Sequence, residues 1–258
     1  MADTQKKPSA TFRSLEADKI VDTIARLERR IRERFPDSGL SKVAAGLSEL
    51  SQGAVIRAEQ IRRPNIALRL LTGVVVLAVG ALLVRLVIGL RWSDELFEIE
   101  HFVQSLEALL GCAAFIGAAI LFLASLELRI KRRRALQAVH ELRALAHIVD
   151  MHQLTKDPEG VTGRGPATDS SPSRSMTPFE LGRYLDYCSE LLSLISKIGA
   201  LYVQEFPDPV ALEAVDQLAV LTNGLTRNIW QKIMIIESIA AKKPVGQCTD
   251  ASVSPSED

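Results

Sequence analysis

The chain has 258 residues, with 31 Lys and Arg against 31 Asp and Glu, and 47% of its residues are apolar. A formal net charge of zero excludes bulk attraction to a polyanion as the basis of function, and no nucleic-acid partner is expected. Three dispersed cysteines, Cys112, Cys188 and Cys248, have no metal-ligand spacing and suit reduced thiols in a cytosol-facing protein rather than a disulfide framework. Arg outnumbers Lys about two to one, and we read this, with the abundance of Ala and Leu, as the imprint of a GC-rich bacterial genome.

Met1 to Ala10 lacks the apolar segment of a secretory signal, so the apolar sequence further on is expected to be internal and retained. Residues 1–63 read as two helices. In the first, Ile20, Ile24, Leu27 and Ile31 recur at three- and four-residue spacing, with Arg and Glu filling the other faces. Pro36, Asp37, Ser38 and Gly39 break that helix. A second stripe, Leu40, Val43, Leu47, Leu50, Ala54, Ala58 and Ile61, ends before Pro64. Stripes this narrow predict coiled-coil or bundle packing.

Two long apolar runs follow, Ile66 to Leu90 and Ala108 to Leu126, and the second has nineteen consecutive residues without a formal charge. At ~1.5 Å per residue such a helix matches the ~30 Å hydrocarbon core of a bilayer. The fold class predicted is therefore all-α, an integral membrane protein with a two-helix transmembrane hairpin over 64–128 and cytoplasmic helical segments on either side. A soluble chain of this size would struggle to bury two helices that are apolar all round.

Positive charge sets the orientation. Arg57, Arg62 and Arg63 precede the first run and Arg69 lies in its first turn, while Arg129, Lys131, Arg132, Arg133 and Arg134 follow the second. The connection holds a single Arg, at position 91, against Asp94, Glu95, Glu98, Glu100 and Glu107. Both termini are expected in the cytoplasm of a bacterial inner membrane, with a short acidic loop outside and Trp92, Phe97 and Phe102 as its interfacial belt. The basic cluster at 129–134 reads as a set of anionic-lipid headgroup contacts.

Apolar spacing continues through Ala135, Ala138, Leu142, Leu145 and Val149, so the second membrane helix is expected to run on as a stalk over 129–156. Residues 157–176 are rich in Gly, Pro, Ser and Thr and read as a flexible linker. Thr177, Pro178 and Glu180 then form a helix start, with a cap, a first-turn proline and a capping-box glutamate. Asp208 and Pro209 repeat that signal, which predicts a helical hairpin over 177–241 with a weak point at Asn223 and Gly224 and a disordered tail over 242–258.

No catalytic, cofactor-binding or metal site is expected. His140, His147, His152 and Asp150 on the stalk do not share one face, and the glycines at 160, 163 and 165 lack the following Lys and Ser or Thr of a phosphate loop. Among the ionisable residues of the membrane region, Arg85 is expected to snorkel outward, to pair with Glu107 or, in several copies, to line a pore, and Arg69 and Glu127 are expected to pair at the inner interface. Small residues at Gly73, Gly80, Gly111 and Gly117 allow close helix contact, within the hairpin or between copies. The expected role is a non-enzymatic membrane scaffold or regulator that self-associates or presents helical surfaces to a cytoplasmic protein. The alternative is a small oligomeric channel or pore-forming effector. The partners expected are membrane lipids, further copies of the chain and a cytoplasmic protein.

Overall fold

The computed structural model describes residues 14–89, 99–156, 158, 169 and 176–242. Among these the chain forms helices and no strands: α1 (Ala17–Arg34), α2 (Gly39–Arg62), α3 (Ile66–Gly89), α4 (Ile99–Leu154), α5 (Pro178–Gln204) and α6 (Pro209–Lys242). The acidic connection with Trp92 and Phe97, nearly all of the linker at 157–176 and the tail beyond Lys242 lie outside the described residues.

Helix boundaries follow short-range chemistry. Ser38 starts α2, its hydroxyl accepting from the Ser41 amide at 3.1 Å. At α5 the capping box is complete: the Glu180 amide donates to the Thr177 hydroxyl (3.2 Å), and the Thr177 amide donates to the Glu180 carboxylate (2.8 Å). At α6 the Asp208 carboxylate accepts from the Ala211 amide at 3.1 Å, and Pro209 occupies the first helical position. The predicted continuity of the second apolar run into the stalk holds, since α4 is one uninterrupted helix of 56 residues. The weak point expected at Asn223 and Gly224 does not interrupt α6, which continues to Lys242. A glycine in a helix interior costs only about 1 kcal/mol relative to Ala, and the Ile229, Ile233 and Ile236 face beyond it is buried.

The chain divides into two compact units assembled from non-contiguous segments, and α2, α4, α5 and α6 each contribute to both. One unit comprises Asp18–Ser51, Leu142–Ile198 and Gln217–Asp258. Its core is the predicted stripe of α1 (Ile20, Ile24, Leu27, Ile31) with Leu40 and Leu47 of α2, Leu142 and Val149 of α4, and the broad face of α5 around Leu185, Leu192 and Ile195. In this unit α1 and α5 are antiparallel neighbours, because Phe35 packs edge-on against Tyr184 (5.4 Å) while Arg30 reaches Glu190 (3.1 Å). Burial pushes the Cys188 thiol up to about 12, which leaves it an inert apolar filler.

The other unit comprises Met1–Ala17, Gln52–Glu141 and Gly199–Asp216. It contains α3 and the first part of α4, with a smaller core from Ala54 and Ile61 of α2, Ala135, Ala138 and Val139 of α4, and Leu201, Tyr202, Phe206, Ala211 and Val215. Arg57 donates to Glu141 at 2.6 Å beside the buried Tyr202, whose phenol burial raises to about 12.

Candidate functional site

The candidate site lies in this second unit and begins with the apolar faces of α3 and α4. Both helices are long and apolar enough to cross a membrane, and the eighteen-residue apolar window of each is left 0% buried by the rest of the chain. Leu70, Leu71, Val74, Leu77, Leu82 and Val84 on α3 are exposed, as are Leu110, Phe115, Leu121 and Phe122 on α4. An exposed apolar stretch of this kind marks a surface that meets a partner, a ligand or a membrane.

At one end of the apolar segment Glu127 gathers donors from both helices: the Arg69 guanidinium at 3.0 Å, the Lys131 ammonium at 3.2 Å and the Asn65 amide at 3.2 Å. Asn65 in turn caps α3 through the Leu68 amide (3.4 Å), so a single carboxylate ties the start of α3 to the turn of α4 that leaves the apolar segment. Toward the other end Arg85 and Glu107 are both exposed, and no ion pair joins them among the described residues. Among the described residues the four glycines expected to allow close helix contact meet no neighbour, since a Cβ built at Gly73, Gly80, Gly111 or Gly117 would find nothing within 4 Å.

Beyond Glu127 the basic cluster divides by partner. Lys131 is committed to Glu127. Arg132 grips Asp208 through two guanidinium nitrogens, Nε at 3.0 Å from each carboxylate oxygen and Nη2 at 2.7 Å from Oδ2. The Arg132 charge and the Ala211 amide hold the Asp208 carboxyl below its ordinary range against the opposing effect of burial. Arg129 lies over the Phe122 ring at 5.6 Å, while Arg133 and Arg134 are exposed and form no ion pair among the described residues. Arg129, Arg132 and Arg133 share an open concavity of about 520 Å³ with Leu136, Gln137 and His140. The arginines are legible in the sequence as headgroup contacts, whereas the places of Gln137 and His140 in the concavity and the pairing of Arg132 with Asp208 are seen only in the structure. The spacing 129, 133, 137, 140 is one helix face and is the signal that could have placed Gln137 and His140, whereas nothing local marked Asp208 as the partner of Arg132.

The histidines stand apart from one another. His140 faces the concavity, His147 is exposed, and His152 lies against Gly39 in the other unit. Among the described residues no three His, Cys, Asp or Glu side chains converge as metal ligands. That unit also holds a guanidinium–aromatic cluster, with Arg30 and Arg183 5.3 and 5.0 Å from the Tyr187 ring centre and Arg34 over Phe179. Burial raises the Tyr187 phenol, but hydrogen bonds from Arg183 and Arg34 outweigh it and hold the group below its ordinary value. Arg30 is paired with Glu190 and Arg183 with Asp186, while Arg34 rests on the Phe179 ring. No protein-family model matches the chain, and no curated protein or solved structure matches it either.

Proposed function

We propose that the chain is a two-span integral membrane protein of a bacterial inner membrane, with both termini cytoplasmic, acting as a non-enzymatic scaffold or regulator. The observation that carries this reading is the contrast in burial. Helices α1, α2, α5 and α6 and the end of α4 bury their apolar stripes inside the chain, whereas the apolar windows of α3 and α4 are bare. A soluble protein would have to cover those windows, and lipid covers them at no cost. Most of the chain outside the spans is packed helix and holds no metal-ligand cluster among the described residues, which suits presentation of helical surfaces. The unused glycine faces of α3 and α4 leave room for a second copy to approach.

Exposed Arg85 within the first span favours a second reading, an oligomeric channel whose pore it lines. Ion flux from liposomes loaded with the purified protein separates the two. The scaffold reading expects no flux above protein-free liposomes, for wild type and Arg85→Leu alike. Reproducible flux whose ion preference changes in Arg85→Leu and reverses toward cations in Arg85→Glu would replace the scaffold with the channel.

A further inference from the structure

We infer that the concavity on α4 is a binding site for the phosphate of an anionic phospholipid headgroup, with Arg129 and Arg133 as its principal ligands; the inference rests on the membrane-spanning reading of α3 and α4. Direction along the helix is the first argument. Side chains on an α-helix lean toward its N-terminus, and on α4 the N-terminal side is the apolar window. The basic side chains that follow the window therefore lean back toward the bilayer. Arg129 has done so already: its guanidinium lies over Phe122, a ring seven positions earlier that is itself exposed on the apolar segment.

Charge is the second argument. Of the five cations at 129–134, Lys131 is neutralised by Glu127 and Arg132 by Asp208, but Arg129 and Arg133 bring two uncompensated guanidinium forks to one face. A guanidinium presents paired N–H donors that match phosphate oxygens bidentately. Arg132 is held by the Asp208 anchor and forms a fixed wall rather than a free arm. Gln137 and His140 add donors one and two turns further out, and Leu136 supplies an apolar floor for the glycerol part of the headgroup. Arg134 carries the same charge within one turn of these residues but does not line the concavity, and it provides the control.

The test uses the full chain purified in a neutral detergent and offered equal amounts of phosphatidylglycerol and phosphatidylcholine, with bound lipid measured by native mass spectrometry. Phosphatidylglycerol should be retained about tenfold over phosphatidylcholine, and Arg129→Ala and Arg133→Ala should each weaken that preference about fivefold, while Arg134→Ala leaves it unchanged. Equal losses in all three variants would reduce the site to diffuse electrostatics and overturn the proposal. So would absence of any preference, or complete displacement by excess inorganic phosphate, which would make the ligand a soluble phosphate compound. Alkaline carbonate washing of membranes containing the wild-type chain separates the two levels of inference. Release into the wash removes the membrane reading itself, whereas retention together with loss of headgroup preference removes only the lipid site.

Discussion

At Asp208 one carboxylate accepts from the Ala211 amide at the start of α6 and from two nitrogens of Arg132 on α4, and its side chain is only 5% exposed. The two roles separate by substitution. Asn retains the capping oxygen and removes the charge, whereas Ala removes both, and loss of the cap alone costs about 1 kcal/mol. Asp208→Ala is expected to lower the thermal midpoint of the purified chain by a few degrees, with Asp208→Asn in between, as read by far-ultraviolet circular dichroism. The pH dependence follows the direction of the shift. Because the folded-state carboxyl titrates below its ordinary 3.8, its contribution is complete above that value and is lost as pH falls through the lower one. The gap between wild type and Asp208→Asn should therefore be constant from neutral pH down to about pH 5 and close in more acidic solution. A gap that persists unchanged into strong acid would show that the charge on Asp208 does not matter.

Among the helices, the entry into α2 depends on a close approach of another element. A Cβ at Gly39 would overlap the imidazole of His152 near the end of α4, so the absence of a side chain at the first residue of α2 is what admits the ring. Gly39→Ala must displace the imidazole, and because His152 is a half-buried side-chain end that can turn away, the cost is expected at the low end of overpacking, about 1 kcal/mol. In a His152→Ala background the same change should be neutral or slightly stabilising, because alanine is the better helix former. Thermal unfolding of the two single variants and the double variant provides the cycle; equal effects of Gly39→Ala in both backgrounds would remove His152 from the explanation.

For the whole molecule the proposed membrane topology is tested by asking which side of a bilayer each segment occupies. Positive residues flank both apolar runs on the sides away from the acidic connection, and segments rich in Lys and Arg are retained in the cytoplasm. In a background with the native cysteines replaced by alanine, Ser93→Cys should react with a membrane-impermeant thiol reagent on intact cells, and Ser170→Cys should react only after the membrane is opened. The opposite pattern would invert the topology, and reaction at both positions on intact cells would remove the hairpin. In the proposed topology the α4 concavity would face the cytoplasmic leaflet, so the topology experiment and the headgroup measurement test one geometry from independent directions.

The features legible in the sequence are those whose causes lie within a few residues. The caps at Thr177 and Asp208, the stripe of α1, the unbroken course of α4 and the two apolar runs are each fixed by spacing or by one side chain acting on a nearby amide. Chain-wide charge asymmetry is equally readable, because it depends on position along the chain and not on contact. What only the tertiary structure decided is which faces meet. Arg132 and Asp208 are 76 residues apart and Arg57 and Glu141 are 84 apart, and no local periodicity names either pair. Those partnerships sort the basic cluster into neutralised and available cations, which the sequence presents as one undivided run. The glycine faces of α3 and α4 illustrate the same limit, since small residues announce that a close approach is allowed and only the structure reveals that none is made among the described residues. Local chemistry is written into the sequence directly, whereas long-range pairing emerges when several amphipathic faces compete to be buried together.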